Sequence, residues 1–204
     1  MSTTGLAVPP GRAGRLWLVR RLAIARRAAD LLDRKLRVLA AELDRARAAA
    51  ERTGQEWNAA CHEAQRRLLR AVLLGGERAV RLAADVADAQ VTISYTVTMG
   101  ARHPAEARYT MSEPEGWDGA AVAGARQAHR TALAAAVRHA AATAAVAVIE
   151  AETNATRYRL RAVRDRWVPR LSRALAEVEF ALEEQERADA ARLRMSRRRP
   201  TWKD

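Results

Sequence analysis

Cys61 and His62 are adjacent, and His103, His129 and His139 follow at wide intervals. These are the side chains that could ligate a metal or serve a nucleophile. A zinc site needs about four ligands at short, regular spacing. One cysteine and scattered histidines do not supply it, so neither a metal nor a cofactor is expected. A lone cysteine also precludes an intrachain disulfide and suits a reducing cytoplasm. The stretch LLGGERAV (Leu73 to Val80) has a glycine pair but not the G-x-x-x-x-G-K-[ST] pattern that cradles phosphate. Its glycines read as a helix break. No Ser–His–Asp or Cys–His arrangement can be argued, so the chain is expected to be non-catalytic.

The remaining chemistry is charge. The chain of 204 residues has 36 basic and 24 acidic side chains, a formal net charge of +12. Only Lys35 and Lys203 are lysines. The Arg and Ala bias reads as GC-rich coding, but the excess still favours an acidic or anionic partner. Two clusters stand out: RLWLVRRLAIARR (Arg15 to Arg27) and RLRMSRRR (Arg192 to Arg199). A solvated helix face is the default for such runs. The sharper reading makes Arg12, Arg20, Arg21, Arg194, Arg197 and Arg198 a partner interface.

These residues must be positioned by long helices. Aromatics are 4% of the chain, while apolar residues reach 49%. Abundant Ala, Arg, Leu and Glu on a short apolar period suits helix-on-helix seams. From Leu18 the positions of the stripe alternate in steps of four and three: Leu18, Leu22, Ala25, Ala29, Leu32, Leu36, Leu39, Leu43, Ala46, Ala50, Thr53, Trp57, Ala60, Ala64, Arg67, Ala71 and Leu74. Thr53 and Arg67 interrupt the stripe. A sustained 3.5 period predicts a left-handed coiled coil, and at 1.5 Å per residue this helix would be about 85 Å long. Gly75–Gly76 should weaken or end it. A short helix over Arg78 to Ala89 is expected next.

QVTISYTVT (Gln90 to Thr98) alternates with period two and reads as a strand. Val91, Ile93, Tyr95 and Val97 share one face, and Thr92, Ser94, Thr96 and Thr98 the other. MGARHPAE supplies a turn, ARYTM a returning strand, and SEPEGWDG a loop. From about Ala120 to Arg199 the chain is helical again. Val146, Ile149, Thr153, Thr156, Leu160, Val163 and Trp167 keep the heptad. Leu171 then follows a second consecutive step of four, a stutter, and Pro169 sits in it. Pro169 is therefore expected to mark a bend in a continuous helix. Trp57 and Trp167 occupy seam positions as bulky knobs. Trp17, Trp117 and Trp202 fall outside the seams and are candidates to face partners.

The predicted fold class is all-α: a long antiparallel two-helix left-handed coiled coil with a small central insert of short helix and β-hairpin. The expected divisions are a flexible arm (1–15), a first coil helix (16–75), the insert or foot (76–119), a second coil helix (120–199) and a tail (200–204). Two helices flanking an insert return antiparallel to bury both stripes. The expected alignment puts Leu18 beside Asp189, and Pro169 beside Val38 and Leu39. No segment approaches about 18 uncharged apolar residues, so no membrane span is expected. The N-terminus lacks a cationic start followed by an apolar run, so it does not read as a signal peptide.

Three blocks resemble the D subunit of the V-type and A-type rotary ATPases. The first holds Pro10, Arg12, Leu16, Leu18, Arg20, Arg21, Leu22, Ala25, Arg27, Asp30, Leu31, Leu32, Lys35 and Leu39. The second is TMGARHPAE, with Met99, Gly100 and Pro104. The third holds Thr156, Arg159 and Ala162, then Pro169 to Leu171, then Leu182 to Arg187 with Arg192 and Leu193. A family Gly-His pair is Ala28–Ala29 here, and the family's Asn-Ala-Leu-Glu stretch reads Arg161 to Arg164.

The resemblance implies a central rotor shaft, with no bond made in ATP. Its terminal end would stand inside the ring of catalytic A and non-catalytic B subunits. Its foot would rest on the subunit capping the membrane ring, with the small F subunit beside the shaft. Ile93, Tyr95, Met99, Gly100 and Pro104 are then candidates for the foot or for the interface with the F subunit, and Pro169 for a bend in the shaft. The protein would be cytoplasmic, peripheral on that face of the membrane. A basic nucleic-acid-binding or scaffold coiled coil is the alternative. Interleaved Glu and Asp and the lack of an aromatic stacking platform count against direct nucleic-acid binding.

Overall fold

The computed structural model describes residues 6–83, 89–111 and 119–198. It shows helix α1 (Gly11–Leu82), strands β1 (Ala89–Thr98) and β2 (Ala101–Met111), helix α2 (Ala120–Arg161), a π-helical turn (Ala162–Trp167) and helix α3 (Val168–Arg198). The fold class is the predicted one: all-α, with antiparallel helices and a two-stranded antiparallel hairpin between them. The chain divides into two units, residues 1–34 with 156–204, and residues 35–155.

In the first unit α1 begins at Gly11, ahead of the expected start at Leu16. Gly14 is buried, and a Cβ there would fall 2.0 Å from the carbonyl oxygen of Pro9. Glycine thus lets residues 6–10 lie against the helix, and Leu6 and Val8 join its core. That core is Leu18, Leu22, Ala25, Leu171 and Ala174, with Trp17, Trp167 and Val168 packed on it. Arg12 pairs with Glu186 at 3.1 Å and Arg15 with Glu179 at 2.9 Å. The helices are antiparallel, but in a different register from the expected one. Leu18 shares its cluster with Leu171 and Ala174, not with Asp189. Leu171, near Pro169, packs with Leu18, Leu22 and Ala25, not with Val38 and Leu39. Apolar periodicity repeats, so a coil can slide by whole heptads without exposing its stripe. The packing and ion pairs of one particular alignment choose among the registers.

In the second unit Leu39, Leu43 and Ile149 form one core cluster. Lys35 Nζ lies 2.6 Å from Glu152, with both side chains about three-quarters covered. The lone coil lysine thus bridges the helices. Arg47–Glu150 and Arg138–Glu56 pairs add cross-helix contacts. At Gly76, φ is 76° and ψ 161°, a conformation that L side chains rarely adopt. The glycine pair therefore breaks the helix as expected. Beyond it Ala79, Val80 and Ala83 pack on a cluster of Ala71, Val122 and Ala125. The expected short helix corresponds to this last piece of α1; residues 84–88 lie outside the described residues. Leu74, expected on the stripe, is 69% exposed, while the stripe positions Ala64 and Ala71 before it are buried.

An 18-residue window within Ala120–Arg197 reaches a mean hydropathy of 1.7, enough by length and composition alone to cross a membrane. Alanines share that value with Leu133, Val137, Val146, Val148 and Ile149, and residues 132–149 also include Arg138 and His139. Both face α1: Arg138 pairs with Glu56, and His139 hydrogen-bonds the Ala50 carbonyl. Small side chains let helix backbones approach closely, which is the use of Ala in this seam.

Candidate functional site

The hairpin combines defined geometry with uncovered apolar surface. Met99 and Gly100 form its two-residue turn, with φ of 51° and 86°. Two positive φ values are the mark of the turn that matches strand twist. Strand β2 resumes at Ala101, so RHPAE, expected as turn, is strand. Pro104 is tolerated because it sits at a bulge, where a missing N–H costs no ladder bond. Ser94 pairs with Glu106 and Tyr95 with Pro104, leaving Ala105 as the extra residue. The Ser94 hydroxyl accepts the Glu106 N–H at 3.2 Å.

That single extra residue decides which face meets the protein. Directly opposite residues share a face, and side chains alternate along a strand. Tyr109 and Ala107 pair with Val91 and Ile93; past the bulge Pro104 and Arg102 pair with Tyr95 and Val97. His103 and Ala101 are thereby turned to the threonine face, where both are buried. His103 Nδ1 lies 3.2 Å from the Pro104 carbonyl, which only accepts, so Nδ1 carries the proton. Nε2 then accepts from the Thr98 hydroxyl at 3.2 Å.

The opposite, apolar face is left open. Val91, Ile93, Tyr95 and Val97 are between 42% and 63% exposed, and Met99 is 48% exposed. Arg102 lies over the Tyr95 ring, 4.4 Å from its centroid, and adds a cation to that face. Of the residues singled out in sequence, Ile93, Tyr95, Met99, Gly100 and Pro104 are thus brought together on one hairpin. Behind the hairpin, a cleft of about 880 Å³ is bounded by β2, α1 and α2, with Glu42, Arg45, Thr53, Thr96, His103 and Arg138 among its walls. No sequence signal pointed to this cleft, because it depends on how the hairpin folds back.

The arginines behave differently. Arg12 is tied to Glu186 although both are largely exposed. Arg21 stacks over Trp17, 5.0 Å from the ring centroid, so Trp17 serves its own helix. Arg20 is exposed, Arg194 donates to the Ala190 carbonyl at 3.2 Å, and Arg197 is exposed. Arg198 ends α3. Trp117 and Trp202 lie outside the described residues.

His139 and Trp57 form a second polar node. The Trp57 ring stacks on His139 at 5.5 Å between centroids. Trp57, expected as a seam knob, is 37% exposed at the seam's edge. The imidazole takes the interior place instead, with Nδ1 donating to the Ala50 carbonyl at 3.1 Å. Among the described residues no group of three or more His, Cys, Asp or Glu side chains could hold a metal.

The family model for the ATP synthase D subunit matches residues 16–198. No curated protein matches the chain significantly.

Proposed function

The chain belongs to the ATP synthase D-subunit family, and we propose that in its rotary complex it is the central-stalk rotor subunit. In this reading it carries torque between a ring of A and B subunits and the ion-translocating ring of the membrane, and makes no bond in ATP. The observation that carries the proposal is a family match spanning both coil helices and the hairpin. Paired helices joined by cross-helix ion pairs resist bending better than a single helix, as a torque-bearing element requires.

The first unit, with its exposed arginines, is assigned to the A and B ring. The apolar hairpin face, with Met99 at its tip, is assigned to the F subunit or to the subunit capping the membrane ring. A non-glycine residue at positive φ costs about 1 kcal/mol or more and persists where its surroundings require it. The complex would place the chain on the cytoplasmic side of the membrane. Co-expression with A, B and F homologues tests this. A rotor subunit co-purifies with them in a stable, salt-resistant complex. A chain that instead brings down salt-sensitive nucleic acid, and none of these subunits, overturns it.

A further inference from the structure

The π-helical turn Ala162–Trp167 sits where the heptad count fails. Counted on from Leu160 and Val163, a strict 3.5 repeat meets positions 167, 170, 174 and 177 next. Trp167 and Ala174 of that count do pack on the first-unit core, but its larger aliphatic side chains beyond the turn, Val168, Leu171, Leu175 and Val178, each come one position late. A π-turn closes i→i+5 bonds in place of i→i+4 and so holds one more residue than an α-turn. The Val168 N–H indeed bonds the Val163 carbonyl. Before and after the turn the backbone is α-helical, and Pro169 lies within α3 just past it.

Pro169 has no N–H and would crowd the carbonyl of Asp165 in a regular helix. The widened turn relieves that clash, so two causes of the turn must be separated. We infer that the surplus residue, not the proline, creates the π-turn: it is a built-in phase corrector that keeps the seam buried on both sides, and Pro169 only pins where the surplus is stored. A regular helix over the same residues would rotate Leu171, Leu175 and Val178 away from Leu18 and Leu22. The proline therefore sits where its missing donor costs least.

Deletion variants of the full chain test this. Arg164 is exposed and its contact is an exposed pair with its neighbour Asp165, so its loss costs little by itself. Removing Arg164 together with Pro169→Ala should give an uninterrupted α-helix with the seam intact. Its melting temperature should stay within about 4 °C of the parent, on the scale of about 2–4 °C per kcal/mol for a chain this size. Amide exchange near 164–168, fast in the parent, should become slow. Deleting exposed Arg26 from α1, where no π-turn absorbs the change, should lower the melting temperature by more than about 10 °C. Pro169→Ala alone should keep the π-turn. The inference is overturned if Pro169→Ala alone yields a regular helix there, or if the Arg164 deletion with Pro169→Ala is as damaging as the Arg26 deletion.

Discussion

His139 is held on three sides, and that constrains Gly54. A Cβ at Gly54 would meet His139 Cε1 at 3.2 Å, tighter than ordinary contact. The ring cannot easily give, because its Nδ1–H is bonded to Ala50 and its face lies on Trp57. Alanine in a helix is worth about 1 kcal/mol over glycine. Gly54→Ala should therefore gain none of that in the parent, but should recover about 1 kcal/mol in a His139→Ala background; denaturant melts of the four chains measure the coupling. Glu63 illustrates charge at the same scale. Hydrogen bonds from Arg67 and then Arg66 hold its carboxyl below the usual range. A lowered folded pKa gives stability that is present above the unfolded value and lost as pH falls through the folded one. Glu63→Gln should therefore narrow the difference in melting temperature between neutral and strongly acidic pH, by a small amount because the site is solvent-exposed.

At the scale of elements, the hairpin separates stability from docking. Met99 supplies a positive φ that asparagine tolerates better. Met99→Asn is expected to stabilise the hairpin by about 0.5–1 kcal/mol, readable as slower amide exchange in β1 and β2. Ile93→Asp removes a large apolar side chain from the open face and touches little of the fold. It should change global stability by no more than about 0.5 kcal/mol while reducing capture of the F subunit or the ring-cap subunit at least tenfold. A global unfolding caused by Ile93→Asp would show instead that this face is internal. His103→Ala should do the reverse, loosening the hairpin by about 1–3 kcal/mol because the Thr98 hydroxyl loses its buried partner.

For the whole molecule, the family places the chain in a rotary ATPase complex, and its formal charge is +12. Removing residues 195–204 takes away Arg197, Arg198 and Arg199 but none of the buried core. The truncated chain should fold, bind the A and B ring more weakly and at lower salt, and retain the F subunit. Pull-downs at graded salt distinguish the two contacts. Loss of the F subunit with normal ring binding would reverse the assignment of the units. The isolated chain should turn over no ATP, and activity that persists through repeated purification would remove it from the rotor role.

The sequence by itself determined the elements. The heptads from Leu18 and from Val146 specify two helices, and period-two alternation in Gln90–Thr98 specifies a strand, because local periodicity decides which face can be buried. The glycine break at Gly76 was legible for the same reason: the conformation is set by the residue itself. Tertiary structure decided what repeats leave open. Every heptad offers the same apolar stripe, so only packing chose the partner of Leu18. Pattern alone could not tell which side chains of β2 are buried, since the bulge at Ala105 shifts that strand by one position and sets the buried His103 and Ala101 opposite Thr96 and Thr98. Nor could it show that the stutter before Leu171 becomes a π-turn, because the surplus residue has an address only once a second helix fixes the seam.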